Sequence, residues 1–179
     1  MQHKYKIKNH LVKISVNVYS QDRCFYVQPL LFLTNTQGQI RDLEDVIGAD
    51  YRISSCQGVI FDRQQQCFFI DLSVLERDIR QLSLVLAAPA NYQFYALQDY
   101  RVSIETQTPY NHIALNTVNC VIDQGCDFVQ LFDLVRHTRH SGWYIHRNPQ
   151  AIYGDLSDLY RVFDYADYFY QPVLNTNMI

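Results

Sequence analysis

A late histidine cluster is the densest concentration of groups able to do chemistry. In RHTRHSGWYIHR, His137, His140 and His146 follow one another closely. A zinc site needs three or four nitrogen or sulfur ligands converging at about 2.0–2.3 Å. His137 and His140 fall in a predicted turn, and alternation along the following strand puts His146 on the face opposite Trp143. The three read as exposed turn and strand residues. The five cysteines, Cys24, Cys56, Cys67, Cys120 and Cys126, are odd in number, form no CxxC pair and lie partly in apolar runs. That pattern reads as buried reduced thiols rather than disulfides or zinc ligands.

Covalent catalysis needs a nucleophile, a base and an orienting group held together, with donors for the developing oxyanion. Cys120 and Cys126 flank VIDQG, and Asp123 and His112 are the nearest partners to imagine for them. No spacing requires that meeting, and there is no GxSxG elbow. A hydrolase with a Cys/His site is therefore the weakest functional class. Asp164 and Asp167 sit on the polar side of a predicted terminal helix and keep it solvated. The six glycines are well separated, so no phosphate-cradling loop exists. No catalytic residue and no bound cofactor are assigned, and the chain reads as a non-enzyme.

The elements that must carry any site are mostly strands. Val12, Ile14, Val16 and Val18 alternate with polar residues, the period of a half-buried strand. FYVQPLLFLT follows, closed by turn residues from Asn35 to Gly38. LEDVIGAD reads as a short extended piece, and QGVIFDRQQQCFFIDL as a hairpin turning at Asp62 to Gln65. Leu72, Leu75, Ile79 and Leu82 recur every three or four residues, so LSVLERDIRQL reads as one or two helical turns before the strand LSLVLA. Val102 and Ile104 share a face with Ile113, Leu115 and Thr117 on the next strand, and DFVQLFDLVRH pairs with GWYIHR across a polar turn.

Short strands with short connections argue for a mainly β protein, a two-sheet antiparallel β-sandwich with short helices. Only the tail is clearly helical, over about residues 156–170. Leu159, Val162, Phe163, Ala166, Phe169 and Tyr170 form its apolar stripe, Asp155 or Ser157 can cap its start, and Pro172 stops its end. An amphipathic helix of this kind closes one end of a sandwich, or offers its tyrosines to a partner.

At 179 residues and 21.1 kDa the chain fits one domain spanning residues 1–179. It is 48% hydrophobic and 18% charged, with 14 tyrosines and 10 phenylalanines, which excludes a disordered or rod-like class. The net charge is -3 and basic residues are scattered, apart from Lys4, Lys6 and Lys8 and from Arg136, Arg139 and Arg147. That distribution argues against nucleic-acid binding. The start does not read as a charged-then-apolar leader, so none is expected, and the apolar run LSLVLAAPA falls well short of the roughly 20 residues of a spanning helix. A soluble cytoplasmic protein is expected.

In order, LLFLTNTQGQIRDLEDVI, a polar hairpin loop, FFIDLSVL, IRQLSLVLA and VQLFDLVRHTRHSGWYIHRNPQAIYG resemble the TerD family of bacterial tellurium-resistance and stress-response proteins. The resemblance covers about residues 16–156. It rests on Phe32, Leu33, Asn35, Gly38, Ile40, Asp45, Val46, Ile47, Ile70, Asp71 and Leu72, then on Leu131, Phe132, Leu134, Arg136, Gly142, Trp143, Tyr153 and Gly154.

What departs from the family is its acid. The DxD motif falls on Tyr26 and Gln28, and the loop's two aspartates and glutamate fall on Gln64, Gln65 and Gln66. Calcium takes six to eight oxygen ligands, several of them charged, and an amide oxygen brings no charge. The resemblance thus implies a calcium site largely lost, with Asp45, Asp50 and Asp62 as its residual carboxylates. Aspartates before turns also cap backbone without any metal. The function implied is a non-catalytic stress-response protein acting on protein partners, TerD-family paralogues among them, with room for peripheral membrane association. The alternative is a calcium- or small-ligand-binding module built on those three aspartates.

Overall fold

A computed structural model describes residues 5–20, 27–88, 97–106, 112–116, 125–137 and 142–163. The strands are β1 (Tyr5–Ile7), β2 (Leu11–Ser20), β3 (Gln28–Thr34), β4 (Val46–Ile47), β5 (Val59–Asp62) and β6 (Cys67–Asp71). They continue with β7 (Gln81–Ala87), β8 (Leu97–Thr106), β9 (His112–Asn116), β10 (Phe128–His137) and β11 (Gly142–Ile152), followed by helix α1 (Leu156–Val162). A six-stranded sheet runs β1-β11-β10-β7-β3-β4 and a five-stranded sheet β5-β6-β2-β8-β9. Every pairing among the described strands is antiparallel. The protein is mainly β, a two-sheet sandwich.

Alternation explains which residues meet between the sheets. Val12, Ile14 and Val16 of β2, Phe68 and Ile70 of β6, and Val102 and Ile104 of β8 face inward. Leu31 and Leu33 of β3, Leu82, Leu84 and Leu86 of β7, and Leu134 of β10 come to meet them. The residues between, Leu30 and Phe32 of β3 and Val85 and Ala87 of β7, are buried too, but in a second cluster with Phe128, Ile152, Leu159, Tyr160 and Phe163. The six-stranded sheet is thus covered on both faces. Its central strands are near-continuous apolar runs for that reason.

A bulge in β10 reorders its faces. Gln130 pairs with Val85 and Phe132 with Leu84, which leaves Leu131 as an extra residue against β7. Strict alternation would put Gln130 and Asp133 on opposite faces. With the extra residue they share the outer one, where Gln130 Nε2 donates to Asp133 Oδ1 at 2.8 Å and Ser83 Oγ donates to the same oxygen at 2.7 Å.

Helix α1 lies over the outer face of the six-stranded sheet rather than closing an end of the sandwich. Phe163 stacks on Phe32 at 4.2 Å between ring centroids, and Tyr160 meets that ring edge-on at 6.0 Å. Asp155 caps the start, its Oδ1 accepting from Ser157 N and Asp158 N, while Asp155 N donates to Asp158 Oδ2. Gly154 takes a positive φ of 112° just before the cap, a conformation glycine adopts without strain. Val162, counted in the apolar stripe, is exposed, because the sheet presents room only to Leu159, Tyr160 and Phe163. Ala166, Phe169, Tyr170 and Pro172 lie outside the described residues.

The segment after β6 is not helical. Leu72, Leu75 and Ile79 are buried at the expected spacing, but they anchor a chain of turns that crosses from one sheet to the other. Asp71 Oδ1 accepts from Ser73 N and Ser73 Oγ, which opens a turn in place of a helix. Arg136 then reaches in from β10, its Nη1 donating to Glu76 O at 2.9 Å and its Nη2 to Leu75 O at 3.2 Å. A guanidinium satisfies carbonyls that helical N–H groups would otherwise take. LEDVIGAD likewise splits into a 3-10 turn at Leu43–Asp45 and the two residues of β4.

Candidate functional site

The three aspartates singled out by the resemblance do different jobs in different places. Asp45 sits in the 3-10 turn leading into β4 of the six-stranded sheet and is 1% exposed. Arg41 grips it: Nε donates to Oδ2 and Nη2 to Oδ1, both at 2.8 Å, and Arg41 N adds a bond to Oδ2 at 3.1 Å. This is the two-pronged guanidinium–carboxylate geometry that is strongest among ion pairs. The other prong of Arg41, Nη1, meets Glu76 and lies 3.2 Å from Asp78 Oδ2. The hydrogen bond to Asp45 pushes the Arg41 pKa above its ordinary value; burial opposes this and Glu76 adds to it. Calcium could reach Asp45 only by displacing a charged, oriented cation.

Asp62 ends β5 on the other sheet. Its Oδ1 accepts from Gln64 N at 2.8 Å and Gln65 N at 3.0 Å, so the carboxylate caps the hairpin turn. The hairpin pairs Asp62 with Cys67, placing the turn at residues 63–66. Within it, Gln66 takes a positive φ of 49°, its Nε2 donates to Arg63 O at 2.7 Å, and its own carbonyl accepts from Val16 N at 3.0 Å. Gln65 Oε1 receives Lys13 Nζ at 3.5 Å. The glutamines bind the turn to itself and to β2. Asp50 is exposed in the loop after β4. Among the described residues, no three of His, Cys, Asp and Glu come together in a way that could hold a metal ion.

Among the described residues the remaining candidates do not converge either. His137 pairs in register with Gly142 and His146 with Asp133, a separation of four residues along the ladder, or about 13 Å. His137 meets the Tyr144 ring edge-on at 5.4 Å. Cys67 and Cys126 are buried, Cys56 is half-buried, and all three are free thiols. Burial pushes the Cys67 thiol up, with Lys13 acting against it, the opposite of what a reactive nucleophile requires. Cys24, Cys120, Asp123, His140, Asp164, Asp167 and Tyr26 lie outside the described residues, as does the side chain of His112.

Arg41, Glu76, Asp78 and Arg136 were not singled out by sequence as a site. The spacing of Arg41 and Asp45, four apart, was the one readable signal. Glu76 and Asp78 reach Arg41 only because the crossing segment returns to that edge.

The fold can be compared with solved structures. A homologue of the telluride resistance protein TerD from Streptomyces coelicolor A3(2) superposes with a TM-score of 0.65, covering 83% of this chain and 94% of that one at 11% identity. The chain has a TerD-like fold. A protein of unknown function, SAV2460, superposes with a TM-score of 0.66 at 12% identity, covering 86% of this chain and 96% of the other. No family model matches the sequence, and no curated protein does.

The residues carrying the sequence resemblance to TerD are, in this structure, residues of the scaffold. Phe32, Leu33, Ile40, Val46, Ile47 and Ile70 are buried. Asn35 Oδ1 accepts from Gln37 N and Gln39 N, while Gly38 turns the chain at a φ of 82°. Asp71 opens the crossing segment and Arg136 closes it. Among the described residues no helix is long and apolar enough to cross a membrane.

Proposed function

We propose that this protein is a non-catalytic interaction module of the TerD stress-response type, with its calcium coordination largely lost. The observation that carries the reading is the Arg41–Asp45 pair. The most buried of the three residual carboxylates already has a cation, held by two side-chain hydrogen bonds of 2.8 Å. Asp62 is occupied by the turn it caps, and the neighbouring glutamines carry no charge to offset an ion's lost hydration. The protein then works in the cytoplasm through protein partners, TerD-family paralogues being the first to test.

The edge beyond β5 supports such contacts. Ile53 bridges to Ile60 and Arg52 O accepts from Phe61 N, so this segment forms the outermost rung of the five-stranded sheet. Tyr51 and Ile53 beside it are exposed, and an exposed strand edge with apolar side chains favours pairing with another chain. Calcium titration by calorimetry on chelator-treated protein, with a parallel thermal melt, tests the reading. We expect no heat and an unchanged Tm at millimolar calcium. A clear rise in Tm would, by ligand linkage, restore calcium binding to the function.

A further inference from the structure

The outer face of the five-stranded sheet carries a groove that neither the fold comparison nor the calcium reading explains. Its volume is about 250 Å³, and Leu11, Ile60 and Phe69 give it an apolar floor. Lys13, Asp71 and Glu105 stand around that floor. A single cross-strand row builds it: Ile53, Ile60, Phe69, Lys13 and Glu105 are successive partners across the ladder. Phe69 is 40% and Ile60 43% exposed, so two large apolar side chains on the edge strand and its neighbour face solvent.

The charges around the groove are unequally used. Lys13 is paired in register with Glu105, yet its Nζ lies 5.5 Å from the centroid of the Phe69 ring and 3.5 Å from Gln65 Oε1. Glu105 consequently has no ion pair among the described residues. Asp71 uses Oδ1 for Ser73, which leaves Oδ2 without a partner there. From the β6 position of Asp71 to the β8 position of Glu105 is two strand spacings across and two residues along, about 12 Å. Two carboxylates therefore flank an apolar, aromatic floor, and a primary ammonium on an aliphatic stem, the chain's own lysine, already lies over the ring.

We propose that this groove binds a small organic ammonium ion, with its apolar body on Ile60 and Phe69 and its charge toward Glu105 and Asp71. Lys13 is the internal model for the ligand: a cation above an aromatic face, where the ring quadrupole attracts it. It is also a competitor, because its ammonium repels a second one. The site is distinct from the Arg41 cluster, and it stands or falls independently of whether calcium binds.

Titration of the full chain with 2-phenylethylammonium, followed by backbone amide NMR and calorimetry, tests the site, with neutral 2-phenylethanol as the matched control. The amine should shift the amides of Lys13, Phe69, Asp71 and Glu105 and bind about tenfold more tightly than the alcohol, the worth of one favourable charge contact. Glu105→Gln and Asp71→Asn, which preserve shape, should each weaken the amine several-fold and leave the alcohol unchanged. Phe69→Ala should weaken both, and Lys13→Ala should tighten the amine. Equal affinity for amine and alcohol, shifts confined to another surface, or indifference to both carboxylate variants would each overturn the proposal. Amide spectra of the variants report whether they are folded, so lost binding is not confused with lost structure.

Discussion

The two sheets have outer faces of opposite character. On the six-stranded sheet Phe32 is fully buried, stacked on Phe163 and roofed by α1. On the five-stranded sheet Phe69 is 40% exposed, with Lys13 over its ring. One phenylalanine holds the molecule together and the other is available to something else. The difference teaches that an aromatic residue on a strand has no fixed role until the cover on its face is known.

Truncating each ring is the sharpest test of that contrast. Phe32→Ala should cost about 3–5 kcal/mol, the usual price of emptying a packed aromatic site. Phe69→Ala should cost about 1 kcal/mol, the worth of its cross-strand contacts on a partly exposed face. Urea unfolding of both variants measures the gap, and similar costs would dissolve the distinction between the faces.

The next effect concerns the roof's edge. Ile40 and Val46 belong to the roofed cluster, and the Arg41–Asp45 pair lies between them in sequence. Arg41→Met should cost about 3 kcal/mol, because it strands a buried carboxylate. Adding Asp45→Leu should recover much of that loss, since a matched apolar pair has no charge to desolvate. A double variant as unstable as the single one would mean that Glu76 and Asp78, not Asp45, set the value of Arg41.

Arg136 joins the two halves being compared, since it clamps the segment that crosses between sheets and lies 4.8 Å from the Trp143 ring centroid. Arg136→Gln should cost about 2 kcal/mol, from lost hydrogen bonds to carbonyls and a lost cation–aromatic contact. Hydrogen exchange should quicken first around residues 72–80. Uniform quickening would indicate instead that the clamp is part of the global core.

The smallest effect lies at the rim of the open face. The Ser73 hydroxyl, opposed by burial and helped by the Ser73 N–H and by the charge of His10, holds the Asp71 carboxyl below its ordinary value. A folded-state pKa below the unfolded one means stabilisation that is present above about pH 4 and fades as pH falls through the folded value. Asp71→Asn keeps the acceptor oxygen and removes the titration. The stability difference between wild type and variant should therefore change chiefly in the acid limb, below about pH 5. A difference that grows above about pH 5 would assign the titration to another group.

Much of this architecture was legible because burial imposes a period. β2 alternates since one face is wet, and the runs of β3 and β7 are continuous since both of theirs are dry. The hairpin at Asp62 and the cap at Asp155 were readable because aspartate bonds its own local backbone. The same periodicity misled at Leu72, Leu75 and Ile79, where buried anchors three and four apart suit a crossing loop as well as a helix. Nothing local could announce that Arg136, about sixty positions away, would satisfy the carbonyls there.

The sequence by itself determined most of the strands, their turns and the sandwich class. Each of these depends on side chains and backbone within a few residues of one another. Tertiary structure alone decided that Arg41, paired with Asp45, also meets Glu76 and Asp78, that a bulge in β10 brings Gln130 to Asp133, and that Phe32 is roofed while Phe69 is open. Those outcomes depend on which distant segments share a face, and long-range packing settles that where local pattern does not.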